Sequence, residues 1–281
     1  MGGGNMTLSF GRVLAVVITI LLTRFGASNA QAQSDFAGFY GQLSTGYESN
    51  QLGSLSGSAT EVPNNNSDII RTAPSQTFSG TPLVFGAGYY WQANEKWLIG
   101  LGVDYSALSQ TSSSFPVSIT NASGNTTVAA GSTVTANGGS VQLSNRFNLF
   151  LTPGYAIDKD KLVYLKAGYS QVTTQFNRHS SVTRTAANGT SVTTPATGGS
   201  PSSNQGGYLV GLGYKQIITS GLYGFVEGNY MSYNSPSDSF TTTVTALNTV
   251  HGISSTGTRT VTTKFNSLNS YQLLVGMGYA F

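Results

Sequence analysis

The chain contains no cysteine, so nothing in its fold depends on disulfides. Charge is scarce: 8% of residues carry one, against about 25% in an average soluble domain. No apolar run reaches the roughly 18 residues that a spanning helix requires. Only two histidines are present, His179 and His251. The Gly-x-Gly pairs lie inside alternating segments, where glycine serves packing, so no nucleotide-binding loop is indicated. A formal net charge of +3 with no basic stripe excludes nucleic acid as a partner. What the chain does have is 35 glycines and 15 tyrosines in 281 residues, enough for one large or two modest domains. Low charge with moderate hydropathy indicates a β-protein whose outside is not water.

Residues 1–32 read as a cleaved signal peptide, with Arg12 before the short apolar run Val13–Leu22 and small-x-small sites at Ser28-Asn29-Ala30 and Ala30-Gln31-Ala32. Its removal takes Arg12 and Arg24 with it and lowers the net charge from +3 to +1. The expected domains are therefore the signal at 1–32 and a β-barrel at 33–281.

The last residues set the pattern for the rest. Tyr271, Leu273, Val275, Met277, Tyr279 and Phe281 are bulky, and the residues between them are mostly small. Strict period-two alternation predicts a strand with one greasy face. The same alternation recurs in eight segments, near 36–48, 81–92, 97–108, 143–157, 162–175, 206–216, 222–233 and up to Phe281. In 222–233 both faces carry aromatics; the phase with Glu227 inward is chosen, because a carboxylate facing lipid costs up to a few kcal/mol. Strand glycines, such as Gly46, Gly102, Gly168, Gly213 and Gly278, fall on the inward set, as the narrow interior of an eight-stranded barrel requires.

Connections alternate between tight turns and the long stretches 49–80, 109–142, 176–205 and 234–264. Rich in Thr, Ser, Asn and Gly, these stretches read as mobile surface loops. Alternation near Thr241–Thr245 and Arg259–Thr263 indicates that some hairpins extend past the wall. With the amino terminus periplasmic, the outward rings sort into two girdles. Phe39, Trp91, Trp97, Tyr155, Tyr214 and Tyr279 form one, and Tyr47, Tyr105, Phe147, Tyr169, Tyr208 and Tyr271 the other. Amphipathic rings prefer the headgroup level of a membrane. The fold expected is an all-β, eight-stranded antiparallel up-and-down transmembrane barrel with four long external loops and short periplasmic turns.

Inward positions carry six charges, Glu48, Asp104, Arg146, Lys166, Lys215 and Glu227, three of each sign. An unpaired charge in a narrow lumen is expensive, so a satisfied polar plug is expected, with a gated conduit whose pairs rearrange as the alternative. Neither histidine has a carboxylate near it in sequence, apart from Asp238 in the loop that holds His251. No catalytic residue, metal ligand or cofactor is assigned. Asp158 and Asp160 alternate with lysines in a tight turn, which is a charged turn and not a calcium loop.

The motifs Gly38-Phe39-Tyr40 with Gly46-Tyr47, Pro153-Gly154-Tyr155, Lys166-Ala167-Gly168-Tyr169, Gly211-Leu212-Gly213-Tyr214 and the terminal Tyr279-Ala280-Phe281 complete the picture. Over 36–281 the chain resembles the small outer-membrane β-barrels of Gram-negative bacteria, akin to the OmpA transmembrane domain and OmpX. It lacks the carboxyl-terminal peptidoglycan-binding domain of OmpA, so that protein's tethering role is not carried over. The resemblance implies the bacterial outer membrane, with lipid and lipopolysaccharide around the wall. It also implies that the barrel-assembly machinery reads the terminal aromatic strand, Tyr271 to Phe281, during insertion. The function expected is a structural or surface-interaction role without catalysis, with an unidentified external ligand on the loops. The alternatives are a narrow channel for ions or small solutes and, more remotely, an outer-membrane lipid-modifying enzyme.

Overall fold

The computed structural model describes residues 34–62, 66–121, 133–195, 200–248 and 253–281, so the expected signal peptide and His251 lie outside the described residues. Period-two alternation forms strands throughout: β1 (Gly38–Leu52), β2 (Leu55–Val62), β3 (Asn66–Ala73), β4 (Gln76–Gly80), β5 (Leu83–Gln92), β6 (Trp97–Ser106), β7 (Gln110–Thr111), β8 (Phe115–Asn121), β9 (Thr133–Asp158), β10 (Lys161–Asn177), β11 (Ser181–Thr185), β12 (Ser191–Pro195), β13 (Ser202–Thr219), β14 (Leu222–Tyr233), β15 (Ser237–Asn248), β16 (Ile253–Phe265) and β17 (Leu268–Ala280). Every pairing between them is antiparallel.

The pairings run in a circuit. β1 pairs with β5, β5 with β6, β6 with β9, β9 with β10, β10 with β13, β13 with β14 and β14 with β17. β17 then returns to β1, from Tyr40 opposite Ala280 to Leu52 opposite Leu268. A closed ring leaves no backbone edge unpaired. Tight turns join the strands at one end; at β13–β14 only Ser220 (φ 38°) and Gly221 (φ 83°) intervene between the paired Thr219 and Leu222. Two successive residues with positive φ make a primed turn, whose twist matches the strands it joins.

At the other end, the stretches expected to be mobile loops are largely strand, which corrects that expectation. β15, β16, β2, β3, β8, the first part of β9, β11 and β12 pair in that order as a second, open sheet. β9 serves both sheets by means of two irregularities. Asn145 (φ 49°) and Arg146 together face the single residue Val172, which shifts the register, and Gly138 (φ 81°) accompanies a second shift against β8. Each bulge inserts one residue and exchanges the faces. Arg146, Asn148 and Phe150 point inward below the first bulge, Val141 and Leu143 between the two, and Val134 and Ala136 above the second. The strand is therefore much longer than the 143–157 expected.

Two apolar clusters fill the interior at different heights. Towards the hairpins, Leu52, Leu55, Phe115, Phe265, Leu268 and Met231 pack together, with Phe176 stacked on Phe265 at 5.2 Å. At the turn end, Phe36, Tyr40, Tyr90, Tyr164, Tyr223 and Phe225 form the second cluster. Phe36 precedes β1 and folds back edge-on to Tyr223, with ring centroids 6.0 Å apart.

Candidate functional site in the ring interior

Strand parity places all six of the expected charges inside, each 4% exposed or less. They divide into two networks and one isolated cation. In the first, Arg146 Nη1 donates to the Glu48 carboxylate, Nε to the Tyr233 hydroxyl at 2.9 Å, and Nη2 to Asn50 Oδ1 at 3.2 Å and Ser270 Oγ at 3.1 Å. Glu48 also accepts from Gln272 Nε2 at 2.7 Å and from Asn50 Nδ2 at 2.9 Å. A cavity of about 10 Å³, near the volume that holds one water, adjoins this pair beside Ser106 and Ser144.

In the second network Lys166 Nζ donates to Asp104 Oδ2 at 2.7 Å and Glu227 Oε1 at 2.9 Å. Glu227 accepts further hydrogen bonds from the Tyr164 hydroxyl and from Asn229 Nδ2, both at 2.7 Å. Asn148 Nδ2 donates to Asp104. The Phe150 ring lies 4.0 Å from Lys166 Nζ.

Lys215 is different. No carboxylate forms an ion pair with it among the described residues. Its ammonium sits among rings, with centroids at 4.1 Å for Tyr40, 4.9 Å for Tyr223, 5.1 Å for Tyr90, 5.2 Å for Tyr164 and 5.9 Å for Phe225. It donates to Gln42 Oε1 at 3.1 Å. Cation–π attraction strengthens when the cation is desolvated, and here it takes the place of a counterion. The six charges sum to zero: the excess carboxylate of the Lys166 triad offsets Lys215.

Sequence reasoning found the charges but not most of their partners. Asn50 lies just past the expected 36–48 segment and Ser270 just before Tyr271, where the stated alternation begins, yet they share the parity of Glu48 and Gln272, which could have found them. The ring cage draws on β1, β5, β10 and β14, and no local pattern announces it.

Outside the ring the parity is reversed. Phe39, Tyr47, Trp97, Tyr105, Phe147, Tyr155, Tyr169, Tyr208, Tyr271, Tyr279 and Phe281 are exposed, and Trp91 and Tyr214 half-buried. Neighbouring strands bring these rings together, as in Trp97–Tyr155 at 5.3 Å and Tyr230–Tyr271 at 5.0 Å. The inward assignment of Glu227 agrees with the structure, with Val226 exposed beside it.

His179 follows β10 and lies away from the interior networks. Its ring packs so closely on Gly139 that a Cβ there would come within 2.7 Å of Nδ1 and Cε1. Burial, followed by the nearby Arg71 and Arg178 charges, holds the imidazole below its ordinary value of 6.5. A depressed imidazole favours the neutral folded form, so stability of this region is complete above pH 6.5 and falls as pH drops from there toward the folded-state value. Hydrogen-exchange protection of the β11 amides, corrected for intrinsic rate, is expected to decrease over that interval. His179→Gln should remove this pH dependence. Among the described residues no cluster of three His, Cys, Asp or Glu could hold a metal.

No family model matches the chain, and no curated protein matches it. Solved structures do align with it. Ail, the attachment invasion locus protein of Yersinia pestis, is 11% identical, with 84% of this chain and 99% of that chain covered and a TM-score of 0.33. The outer-membrane protease OmpT of Escherichia coli is 10% identical, covering 90% and 100%, with a TM-score of 0.38. The outer-membrane protein OprG of Pseudomonas aeruginosa is 12% identical, covering 90% and 99%, with a TM-score of 0.46. At such identities and scores the architecture stands on this chain's own strand pairings: an all-β, antiparallel wall closed on itself.

Proposed function

We propose that the chain is an integral protein of the bacterial outer membrane, an eight-stranded transmembrane barrel with a structural and surface-interaction role and no catalysis. The observation that carries this reading is the inversion of burial around the closed circuit. Leucines, valines and rings face out along its strands, and six charges face in. In water such a wall would be an apolar patch far larger than a monomer tolerates; in hydrocarbon it is the matching surface. Two aromatic belts at the ends of the wall suit the two headgroup regions. The tight turns then face the periplasm and the hairpin sheet the exterior.

An interior filled by two apolar clusters and two buried networks of ion pairs and hydrogen bonds favours a plug over a pore. Protein refolded into a planar bilayer is expected to insert without conductance steps, and regular steps would refute the sealed interior. A narrow gated conduit is the second reading, because Lys166 is shared by two carboxylates and so has two alternative pairings. On that reading steps would be present in the wild type and abolished by Lys166→Ala or Glu227→Ala.

A further inference from the structure

The first strand was expected from residue 36, but β1 starts at Gly38 and the residues before it take another path. Gly38 turns the chain at φ 128°, a conformation that residues with a Cβ rarely adopt, and a Cβ there would stand 2.8 Å from the Phe281 carbonyl oxygen. Ahead of this hinge the chain leaves the line of the strand, with the Ala37 amide donating to Ser34 O at 3.0 Å. The Ser34 amide donates to Gln92 Oε1 on β5 at 3.0 Å. The Asp35 amide donates to Lys159 O, in the turn between β9 and β10, at 3.2 Å. Three strands separate β1 from β10 whichever way the circuit is followed, so this last bond spans the whole mouth. Phe36 hangs from the middle of the strap, 2% exposed, with its ring against Tyr223.

Behind Phe36 lies the lysine cage. Tyr223 is one of the rings around Lys215, and its hydroxyl shares Gln42 Oε1 with the ammonium. Of the six interior charges Lys215 stands nearest the turn end, opposite Leu162 at the start of β10. Phe36 therefore stands between the water outside the mouth and a cation that cation–π contacts hold dry. The strap is also held differently from the ring it crosses. Every strand of the ring is fixed by continuous ladders on both sides, whereas the strap meets the rim through single hydrogen bonds and one ring. Segments with few contacts open locally at a small fraction of the free energy that unfolds a core.

We propose that Ser34–Ala37 is a hinged stopper. It crosses the turn-end mouth, Phe36 closes the Lys215 cage to water, and swinging about Gly38 opens that end of the interior while the ring stays paired. The inference rests on the closed-barrel reading above and adds which element shuts the interior on the side of the tight turns. With the strap lifted, Lys215 is the first interior charge that an entering solute meets.

The test uses protein refolded in detergent micelles, where both ends of the ring face water, and a sulfonated succinimidyl ester that acylates lysine amines. Digestion and mass spectrometry then read each lysine separately. In the wild type the exposed Lys96 and Lys159 are expected to react and Lys215 to be protected. In Phe36→Ser, in Gly38→Val and in a chain starting at Ala37, Lys215 should react about tenfold faster, because labelling follows the open population when reclosing is fast. Lys166, deeper and paired with Asp104 and Glu227, should stay protected throughout. Lys215 that reacts as fast as Lys96 in the wild type, or no faster in any variant, would overturn the proposal. Lys166 gaining reactivity together with Lys215 would overturn it too, by placing the entry elsewhere than under the strap. So would loss of heat-modifiable migration in all three variants, which would make the segment part of the folding core. Lys166 reacting in the wild type would count against the closed barrel itself and is read out separately.

Discussion

Replacing Arg146 with methionine is expected to destabilise the refolded protein by about 3–5 kcal/mol, the usual cost of removing one partner from a buried ion pair. The size follows from what is left behind. Arg146 supplies hydrogen bonds to Glu48, Tyr233, Asn50 and Ser270 at once. Without it the Glu48 carboxylate, 2% exposed, keeps the donors of Gln272 and Asn50 but loses its counterion. Water is no equal substitute for the guanidinium, because a neutral molecule solvates the buried carboxylate without neutralising it. Taking away the stranded charge as well should recover most of the loss, so Glu48→Leu in the Arg146→Met background is expected to be markedly more stable than Arg146→Met alone. Equilibrium unfolding of vesicle-inserted protein in guanidinium measures both. A single-variant cost under about 1 kcal/mol, the range of exposed pairs, would show that the network is hydrated and the interior open.

Much of this site was legible because the face a strand residue takes is decided locally. Alternation alone separated Glu48, Asp104, Lys166 and Lys215 from Phe39, Tyr105, Tyr169 and Tyr208, whereas Glu227 and Val226 were separated by the cost of a carboxylate facing lipid. Local parity fails where a strand carries an extra residue. The bulges at Asn145 and Gly138 exchange faces twice within β9, so the stretch between them, with Val141 and Leu143 inward, runs out of phase with the segments on either side and breaks the alternation. The hairpins were obscured for another reason. Their outer face is hydroxylated, and their inner face has scattered anchors, such as Phe115, Val117 and Phe265, whose common core exists only after distant strands pair. Lys215 illustrates the remaining limit: its charge was visible, but its lack of an ion pair and its enclosure by Tyr40, Tyr90, Tyr164, Tyr223 and Phe225 are properties of convergence in space.

The inward glycines yield the second large prediction: Gly168→Val is expected to abolish the folded barrel, whereas Gly228→Ala should leave it intact. Both lie on strands of the ring, yet a side chain meets opposite surroundings at the two positions. A Cβ on Gly168 would press on the backbone oxygen of Leu149 and come within 2.6 Å of Phe150 Cα and 2.8 Å of Phe150 Cβ, whereas one on Gly228 meets nothing within 4 Å. Inserting carbon into a packed core usually costs about 1–3 kcal/mol, relieved by rotamer shifts. No such relief exists here, since two of the obstructing atoms are main chain of the paired strand β9. The strands must separate, and on a closed ring separation at one ladder is passed to every other, because strand number, tilt and stagger are linked. The loss should therefore exceed the roughly 4–5 kcal/mol that marks exceptional substitutions. Heat-modifiable migration and circular dichroism of refolded protein measure it. A Gly168→Val protein that folds like the wild type would show that the wall yields freely, and with that the tight interior on which the sealed-barrel reading depends would be lost.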